Sequence, residues 1–179
     1  MDTVSTPYLN LGGLHTSGID AQIDWKIPVG KGSLDLNIVA NYLESYDVKL
    51  LQTSAWQEFA GTIDGTQNGG IPLPDWKSLT SLGYTVGGFQ STVRWRHLPK
   101  MDDVTTVTRP ASPAAGVPAY DAFDVTLAYR INEKFQVRGG VNNALDKDPP
   151  IVGATIGQTQ PGTYDVIGRY YYFGLRANF

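Results

Sequence analysis

The sequence contains no cysteine, which excludes disulfide scaffolds, thiolate metal sites and cysteine nucleophiles. Charged side chains are scarce at 17%, below the roughly 25% that is usual in soluble domains. Because 14 basic residues stand against 17 acidic ones, the net charge is −3, and no basic surface is expected to bind nucleic acid. No apolar run approaches the roughly 18 residues that a membrane-spanning helix needs.

Turn-forming residues and aromatic rings are what the sequence has in quantity. It holds 20 glycines and 11 prolines, and aromatic residues make up 11% of its 179 residues. Glycine and proline mark turns, and aromatic side chains favour strands. This composition is typical of an all-β protein, and the length fits one domain or a piece of a larger one.

Alternation between apolar and polar side chains is the main structural signal. Phe123, Val125, Leu127 and Tyr129 alternate with Asp, Thr and Ala, as on a strand whose two faces meet different surroundings. The same pattern predicts seven strands, at residues 14–28, 33–49, 75–86, 88–98, 120–131, 134–145 and 165–179.

The connections between these strands alternate between short and long. Three are tight turns, and the three long ones cover about residues 50–74, 99–119 and 146–164. Short turns that all fall at one end of the sheet predict an antiparallel up-and-down meander of about seven strands. No apolar spacing typical of a helix occurs, apart from a weak pattern in the loop near Trp56.

Two architectures fit such strands, a soluble β-sandwich and a transmembrane β-barrel. Several predicted strands have ten or more residues, close to the length of about 9–11 that a tilted transmembrane strand needs. The polar positions carry five arginines, which a water-filled interior accommodates more easily than a sealed core. Aromatic residues on the apolar positions gather near the strand ends, as at the two surfaces of a bilayer. These features favour the barrel, with Trp25, Tyr84, Phe89, Tyr129, Phe135 and Phe179 towards the turns and Tyr42, Trp76, Trp95, Phe123 and Tyr171 towards the long loops.

Several stretches resemble a known family. Residues 119–127, residues 140–150 with the motif Asn-Asn-x-Leu-Asp-Lys-Asp-Pro-Pro, and residues 164–179 with a Gly-Arg-x-aromatic motif resemble the last strands of TonB-dependent outer-membrane receptors. Residues 13–20 resemble an upstream strand of the same barrel. The resemblance implies a place in the outer membrane of a Gram-negative type of cell. It also implies active uptake of a scarce nutrient, such as an iron-siderophore complex, cobalamin or an oligosaccharide, and no enzymatic activity.

The resemblance further implies parts that seven strands do not supply. Receptors of this family close a barrel of about 22 strands around a plug, and TonB pulls on that plug. We therefore expect residues 1–179 to be the C-terminal part of such a barrel, without the plug and the N-terminal strands. Contact with the TonB complex would run only through the missing plug. Such a sheet would stay open or close imperfectly, and it would not transport alone.

The last predicted strand carries the clearest candidate site. In the family that the resemblance indicates, an aromatic C-terminal strand is recognised by the barrel-assembly machinery. In this sequence the signal maps to Tyr171, Phe173, Leu175 and Phe179. The alternative is that these side chains only face outer-membrane lipid.

Contacts with a nutrient ligand are expected from the long loops. Aromatic, amide and carboxylate groups at a barrel mouth suit sugars and siderophores equally, and ordinary surface-loop chemistry is the alternative. The candidate ligand-facing residues are Trp56, Glu58, Asp102, Asp103, Gln158 and Tyr164.

Other site chemistries find little support. The acidic and amide residues around Asp146 lack the ligand ladder of a calcium loop, so a cap at the end of a strand is favoured there. Catalytic triads, zinc motifs, phosphate loops and dinucleotide fingerprints do not occur in the sequence, so we expect neither an enzyme nor a cofactor. Two rival functions remain, a soluble β-sandwich that binds carbohydrate and a small structural outer-membrane protein that closes by dimerising.

Overall fold

The computed structural model describes residues 12–63, 72–152 and 159–178. No helix among these residues is long and apolar enough to cross a membrane. In chain order the elements are β1 (Gly13–Val29), β2 (Gly32–Lys49), β3 (Gln57–Glu58), β4 (Thr62–Ile63), β5 (Trp76–Val86), β6 (Phe89–Leu98), β7 (Asp102–Asp103), α1 (Thr105–Thr108), β8 (Tyr120–Arg130), β9 (Phe135–Asn142) and β10 (Tyr170–Ala177).

All seven predicted strands are present, and the ends of the first five agree within one residue. The last two strands are shorter than predicted. Strand β9 ends at Asn142 because the next residue, Asn143, turns the chain in the left-handed region with a φ of 49°. Strand β10 begins only after Gly168, whose φ is 78°. The short helix α1 lies in the loop before β8, and the chain beside Trp56 forms β3 instead of a helix.

The long strands form one antiparallel meander in the order β1-β2-β5-β6-β8-β9-β10, with β3 added beside β2. Tight turns join β1 to β2, β5 to β6 and β8 to β9, and they share one end of the sheet, the turn end. The loop end carries three long loops, over residues 50–75, 99–119 and 143–169. Strands β1 and β10 form the two edges, run in the same direction and do not pair with each other within the described ranges. The prediction of an open all-β meander is confirmed.

Glycine is required at two of the tight turns. Gly30 between β1 and β2 has a φ of 60°, and Gly87 between β5 and β6 has a φ of 56°. A Cβ at either position would meet nothing within 4 Å, so the requirement is set by the backbone and not by space. Such turns fix the register of the hairpins that they close.

The register brings the apolar positions of all seven long strands onto one surface. Leu82 of β5 lies opposite Leu36 of β2 and Val93 of β6, and Val93 lies opposite Val125 of β8. Since side chains alternate between the two faces of a strand, one such row fixes the others. This surface, the apolar face, comprises Ile19, Ile23, Trp25, Leu34, Leu36, Ile38, Tyr42, Trp76, Leu82, Tyr84, Phe89, Val93, Trp95, Phe123, Val125, Leu127, Tyr129, Phe135, Val137, Val141, Tyr171, Phe173 and Leu175.

The apolar face is open to its surroundings. Trp25 is 60% exposed and Phe173 is 78% exposed, and no second sheet covers this face in the part of the chain that the structure describes. A soluble sandwich requires such a cover. The fold instead matches a segment of a transmembrane β-barrel, whose strands carry apolar side chains outward.

The buried core lies at the loop end, on the polar side of the sheet. Strands β4 and β7 pair in parallel and hold the first and second long loops together. Met101 bridges to Val117 within the second long loop. Tyr120 and Ala122 of β8 join the cluster from the polar face. This loop core consists of Ile63, Met101, Val117, Tyr120, Ala122, Val152 and Tyr164.

Candidate functional site

A cavity of about 280 Å³ opens on the polar face at the loop end. Residues of β2, β5, β6 and β8 line it together with Thr163 of the third long loop. Among its lining residues, Asn41, Lys77 and Arg96 contribute polar side chains. We call this cavity the polar-face pocket.

Arg96 ties the sheet to the third long loop. Its Nη2 atom lies 3.3 Å from Oδ1 of Asp124 on β8 and 3.8 Å from Oδ2 of Asp165 in the loop. Both carboxylates are largely buried, so these ion pairs are screened less than surface pairs. The Nε atom of Arg96 is buried and has no hydrogen-bond partner among the described residues. Because this atom is sealed from solvent, it is not accessible to a ligand in this arrangement.

Lys77 supplies a second cation at the pocket. It is exposed and forms no ion pair within the described ranges. Together with Arg96 it balances the carboxylates of Asp124 and Asp165, so the immediate surroundings are close to neutral. Free donors in a neutral setting suit a ligand rich in hydrogen-bond acceptors.

A buried asparagine builds the turn below this site. Asn143 is fully buried, and its side chain binds the backbone of Lys147 twice: Nδ2 donates to the carbonyl at 2.9 Å, and Oδ1 accepts from N–H at 2.8 Å. Its own N–H donates to Oδ1 of Asp124 at 2.9 Å. Asp146 accepts from the backbone N–H of Arg169 at 3.0 Å. These bonds form the cap at a strand end that the sequence indicated, and they fix Asp124 for its contact with Arg96.

No group of three or more His, Cys, Asp or Glu side chains that could hold a metal ion occurs among the described residues. Comparison with known protein families gives a match over residues 1–144 to the family described as TonB dependent receptor-like, β-barrel. The chain belongs to this family. Its members are outer-membrane transporters and not enzymes. A comparison with curated proteins gave no match.

The receptor match spans β1 to β9, and β10 lies beyond it. Strand β10 nevertheless pairs with β9 over eight residues, from Tyr170 opposite Asn142 to Ala177 opposite Phe135. The receptor sheet therefore continues without interruption past the matched range.

Two acidic residues of the second long loop have different roles. Asp103 is 3% exposed, and its Oδ1 accepts hydrogen bonds from the backbone N–H and the hydroxyl of Thr105, at 2.9 and 2.6 Å. It is therefore committed to the turn that starts α1. Asp102 is exposed and remains a candidate for ligand contact.

Trp56 and Glu58 belong to the first long loop, beside the β1–β2 hairpin. Trp56 stacks on His15 with 4.3 Å between ring centres, and Nζ of Lys49 lies 5.1 Å from its ring. The indole is 41% exposed, so it can still present an aromatic surface. Oε1 of Glu58 accepts backbone N–H groups from Tyr46 at 2.8 Å and from residue 60 at 2.7 Å, which gives it a structural role.

Tyr164, the predicted ligand-facing residue that is described in the third long loop, does not lie at the surface. Tyr164 is 2% exposed and meets Tyr120 edge to face, with 5.1 Å between ring centres. Burial, and to a smaller extent Tyr120, raises the pKa of Tyr164 to about 12. Tyr164 thus packs in the loop core, in contrast to the ligand-facing position expected from its sequence context. Gln158 lies outside the described residues.

Three of the four residues of the predicted assembly signal line up on β10. Tyr171, Phe173 and Leu175 are 75%, 78% and 63% exposed on the apolar face, next to an edge that has no partner strand among the described residues. Phe179 lies outside the described residues. The exposed strand is accessible to an assembly factor, and that role stays a prediction.

The polar-face pocket itself was not identified from the sequence. Alternation places Arg96 and Asp124 on the polar side, but pairing sets Arg96 opposite Ala122 and Arg94 opposite Asp124. The contact is therefore diagonal, and only the register reveals it. Asp165 joins from a loop 69 residues further along the chain than Arg96 (165 − 96 = 69), and no local pattern signals that contact.

Proposed function

We propose that this chain forms part of an outer-membrane receptor that takes up a scarce nutrient of the siderophore, cobalamin or oligosaccharide class. The apolar face contacts outer-membrane lipid, and the polar face lines the wet interior of the barrel. The observation that carries this proposal is the exposed apolar face, continuous across seven strands of a receptor-family sheet.

Strand length and exposure support contact with lipid. Strands β5, β6 and β8 have 11, 10 and 11 residues, and a tilted strand crosses a bilayer with about 9–11 residues. A contiguous apolar surface of this extent is not stable in water and marks an interaction surface. A bilayer covers all seven strands at once.

The polar-face pocket supports a contact with the nutrient. The N–H donors of Lys77, which is exposed and lines the pocket, face the space that a barrel interior would enclose. Siderophores, cobalamin and oligosaccharides all present many acceptor oxygens, so they fit such donors. Asp102 and Trp56 add an exposed carboxylate and an exposed ring at the loop end.

The described sheet alone does not support transport. The backbone groups on the outer sides of β1 and β10 have no partners in the sheet, and hydrocarbon cannot satisfy them. Transport therefore needs further strands that complete the ring, a plug on which TonB acts, and the barrel-assembly machinery acting on β10.

Single-tryptophan variants test the proposal, because the four tryptophans differ in their predicted surroundings. The full chain is reconstituted into phospholipid bilayers with Trp25 as its only tryptophan, and a matched variant keeps only Trp56. Brominated acyl chains should quench Trp25 strongly, and an aqueous quencher should act mainly on Trp56. A chain that stays monomeric in buffer without detergent, with Trp25 unquenched by lipid, contradicts the proposal.

A further inference from the structure

A groove crosses the apolar face between β8 and β10. At its centre Gly139 of β9 lies opposite Leu127 of β8 on one side and Phe173 of β10 on the other. Because glycine has no side chain, the surface is one side chain deeper here than at its neighbours. The groove encloses about 430 Å³, and its lining is almost wholly apolar.

Exposed side chains form the two walls of this Gly139 groove. Leu127 and Tyr129 on β8 are 49% and 51% exposed, and Tyr171 and Phe173 on β10 are 75% and 78% exposed. The lipid-side positions from residue 125 to residue 129 extend about 13 Å along the strand, at 3.3 Å per residue. The groove is therefore long and narrow, and it follows the strands.

We propose that the Gly139 groove binds one acyl chain of an outer-membrane phospholipid. The inference rests on the proposed function, since it requires the apolar face to meet lipid. The groove is continuous with that face, and it follows strands that cross the bilayer. Its walls offer almost no polar groups to a hydrophilic ligand.

A tyrosine lies at each end of the groove. Phe89 and Tyr129, at the turn end of the sheet, line one end of the groove. Tyrosine favours the boundary between hydrocarbon and headgroups. Tyr171, on the loop side of Phe173, lines the other end, so the bound acyl chain runs past Gly139 between two tyrosines.

Packing, and not the hydrophobic effect, makes lipid binding in the Gly139 groove different from lipid contact on the rest of the apolar face. A lipid tail is already in apolar surroundings everywhere on the apolar face, so burial alone does not favour one place. In the groove the chain touches atoms on three sides, and each added contact contributes dispersion energy. The lipid at this position should consequently exchange more slowly than its neighbours.

Three substitutions distinguish lipid binding in the Gly139 groove from general lipid contact of the apolar face. Gly139→Leu fills the groove; its Cβ would lie 3.2 Å from the carbonyl oxygen of Tyr172, which requires only a small shift. Leu127→Ala lowers a wall without adding bulk, so it tests lipid binding in the groove even if the first variant perturbs folding. Thr80→Leu is the matched control, because Thr80 lies on the same face between Ile38 and Trp95 and outside the groove.

The measurement is native mass spectrometry of the full chain after mild extraction from phospholipid bilayers. We expect the unaltered chain and Thr80→Leu to retain one phospholipid that Gly139→Leu and Leu127→Ala lose. Equal retention by all four proteins overturns the inference, and so does a second copy of the chain in place of the lipid. Quenching by brominated lipid is recorded in parallel on the variant that keeps Trp25 as its only tryptophan. If Trp25 is quenched and retention is equal, only this inference fails; if Trp25 is not quenched, the proposed function fails and the inference with it.

Discussion

His97 and Asp121 form a hydrogen-bonded pair on the apolar side of the sheet, with 2.7 Å between Nδ1 and Oδ1. The same oxygen accepts a hydrogen bond from Nε1 of Trp95 at 2.7 Å. The His97 ring also stacks on Trp76, with 4.3 Å between ring centres. Since charged groups are costly in the middle of a bilayer, we expect this polar and aromatic group to lie at the boundary of the hydrocarbon, at the loop end of β6 and β8.

Removing the carboxylate of Asp121, which Trp95 and His97 share, should destabilise this group of side chains. Asp121→Ala leaves the indole N–H of Trp95 and the ring of His97 without their acceptor, and we expect a loss of about 1 kcal/mol in the free energy of unfolding. Asp121→Asn keeps an acceptor and should lose less. Urea unfolding in phospholipid bilayers, followed by tryptophan fluorescence, measures both. Asp102→Ala, at an exposed loop position, is the control, and equal losses for Asp121→Ala and the control would refute this role.

The ion pair between Arg96 and Asp165 should hold the third long loop against the sheet. Asp165→Asn removes the charge, while its side-chain oxygen can still accept the N–H of Ile167 that Asp165 accepts at 3.0 Å. We expect about 0.5–1 kcal/mol of local stability to be lost, and proteolysis within residues 143–169 to become a few-fold faster. Asp148→Asn, an exposed position in the same loop, serves as the control. Unchanged cleavage of Asp165→Asn would show that other contacts hold the loop.

Tyr164 should make stability depend on pH at the alkaline end. Its folded pKa is about 12, whereas an unfolded tyrosine titrates near 10. The unfolded chain therefore loses this proton first, so the contribution is complete below about pH 10 and is lost as the pH rises towards 12. Tyr164→Phe should flatten the decline in that window, as measured by unfolding at a series of pH values. Tyr171→Phe, at a 75% exposed position, should leave the decline unchanged; a decline that persists in Tyr164→Phe argues for another group.

The hydroxyl of Tyr164 allows a second measurement at neutral pH. It is buried and has no hydrogen-bond partner among the described residues. Replacing an unsatisfied buried hydroxyl by hydrogen is neutral or stabilising by up to about 1 kcal/mol. We therefore expect Tyr164→Phe to unfold at an equal or higher urea concentration than the unaltered chain, and a clear loss of stability would reveal a partner for the hydroxyl.

The aromatic face of the last strand should determine insertion into the outer membrane. Replacing Tyr171, Phe173 and Leu175 by serine, or deleting Phe179, should lower the membrane-inserted fraction several-fold in an assay with purified barrel-assembly machinery. Arg176→Ser, on the polar side of β10, is the control. Insertion at the unaltered rate in machinery-containing liposomes would leave these side chains with lipid contact alone.

Alternation was sufficient to predict the sheet because each long strand separates two different surroundings along its whole length. The alternate apolar positions from Phe123 to Tyr129 were assigned to one face. The register places them on the same face as Val93 and Val141. Tight turns at Gly30 and Gly87 could be located because the connecting segments are short and rich in glycine. Local chemistry therefore fixes the strands and their faces.

Local chemistry does not fix the loops, where contacts join distant parts of the chain. Ile63, Met101 and Val117 show no periodic pattern, yet they share one buried cluster. Tyr164 lies in a loop segment whose composition suggests a surface position, but its ring is buried because it packs against the ring of Tyr120. The beginning of β10 was placed five residues too early because Gly168 adopts a left-handed backbone, which the sequence allows but does not require.

The parallel direction of the two edge strands limits what can complete this structure. A ring made only from identical copies, arranged about an axis normal to the bilayer, would set β10 of one copy beside β1 of the next, and these strands point the same way. Neighbouring strands in bacterial outer-membrane barrels are antiparallel. An odd number of further strands must therefore lie between β10 and β1 where the wall closes, and a ring of copies that all point the same way has none at that seam.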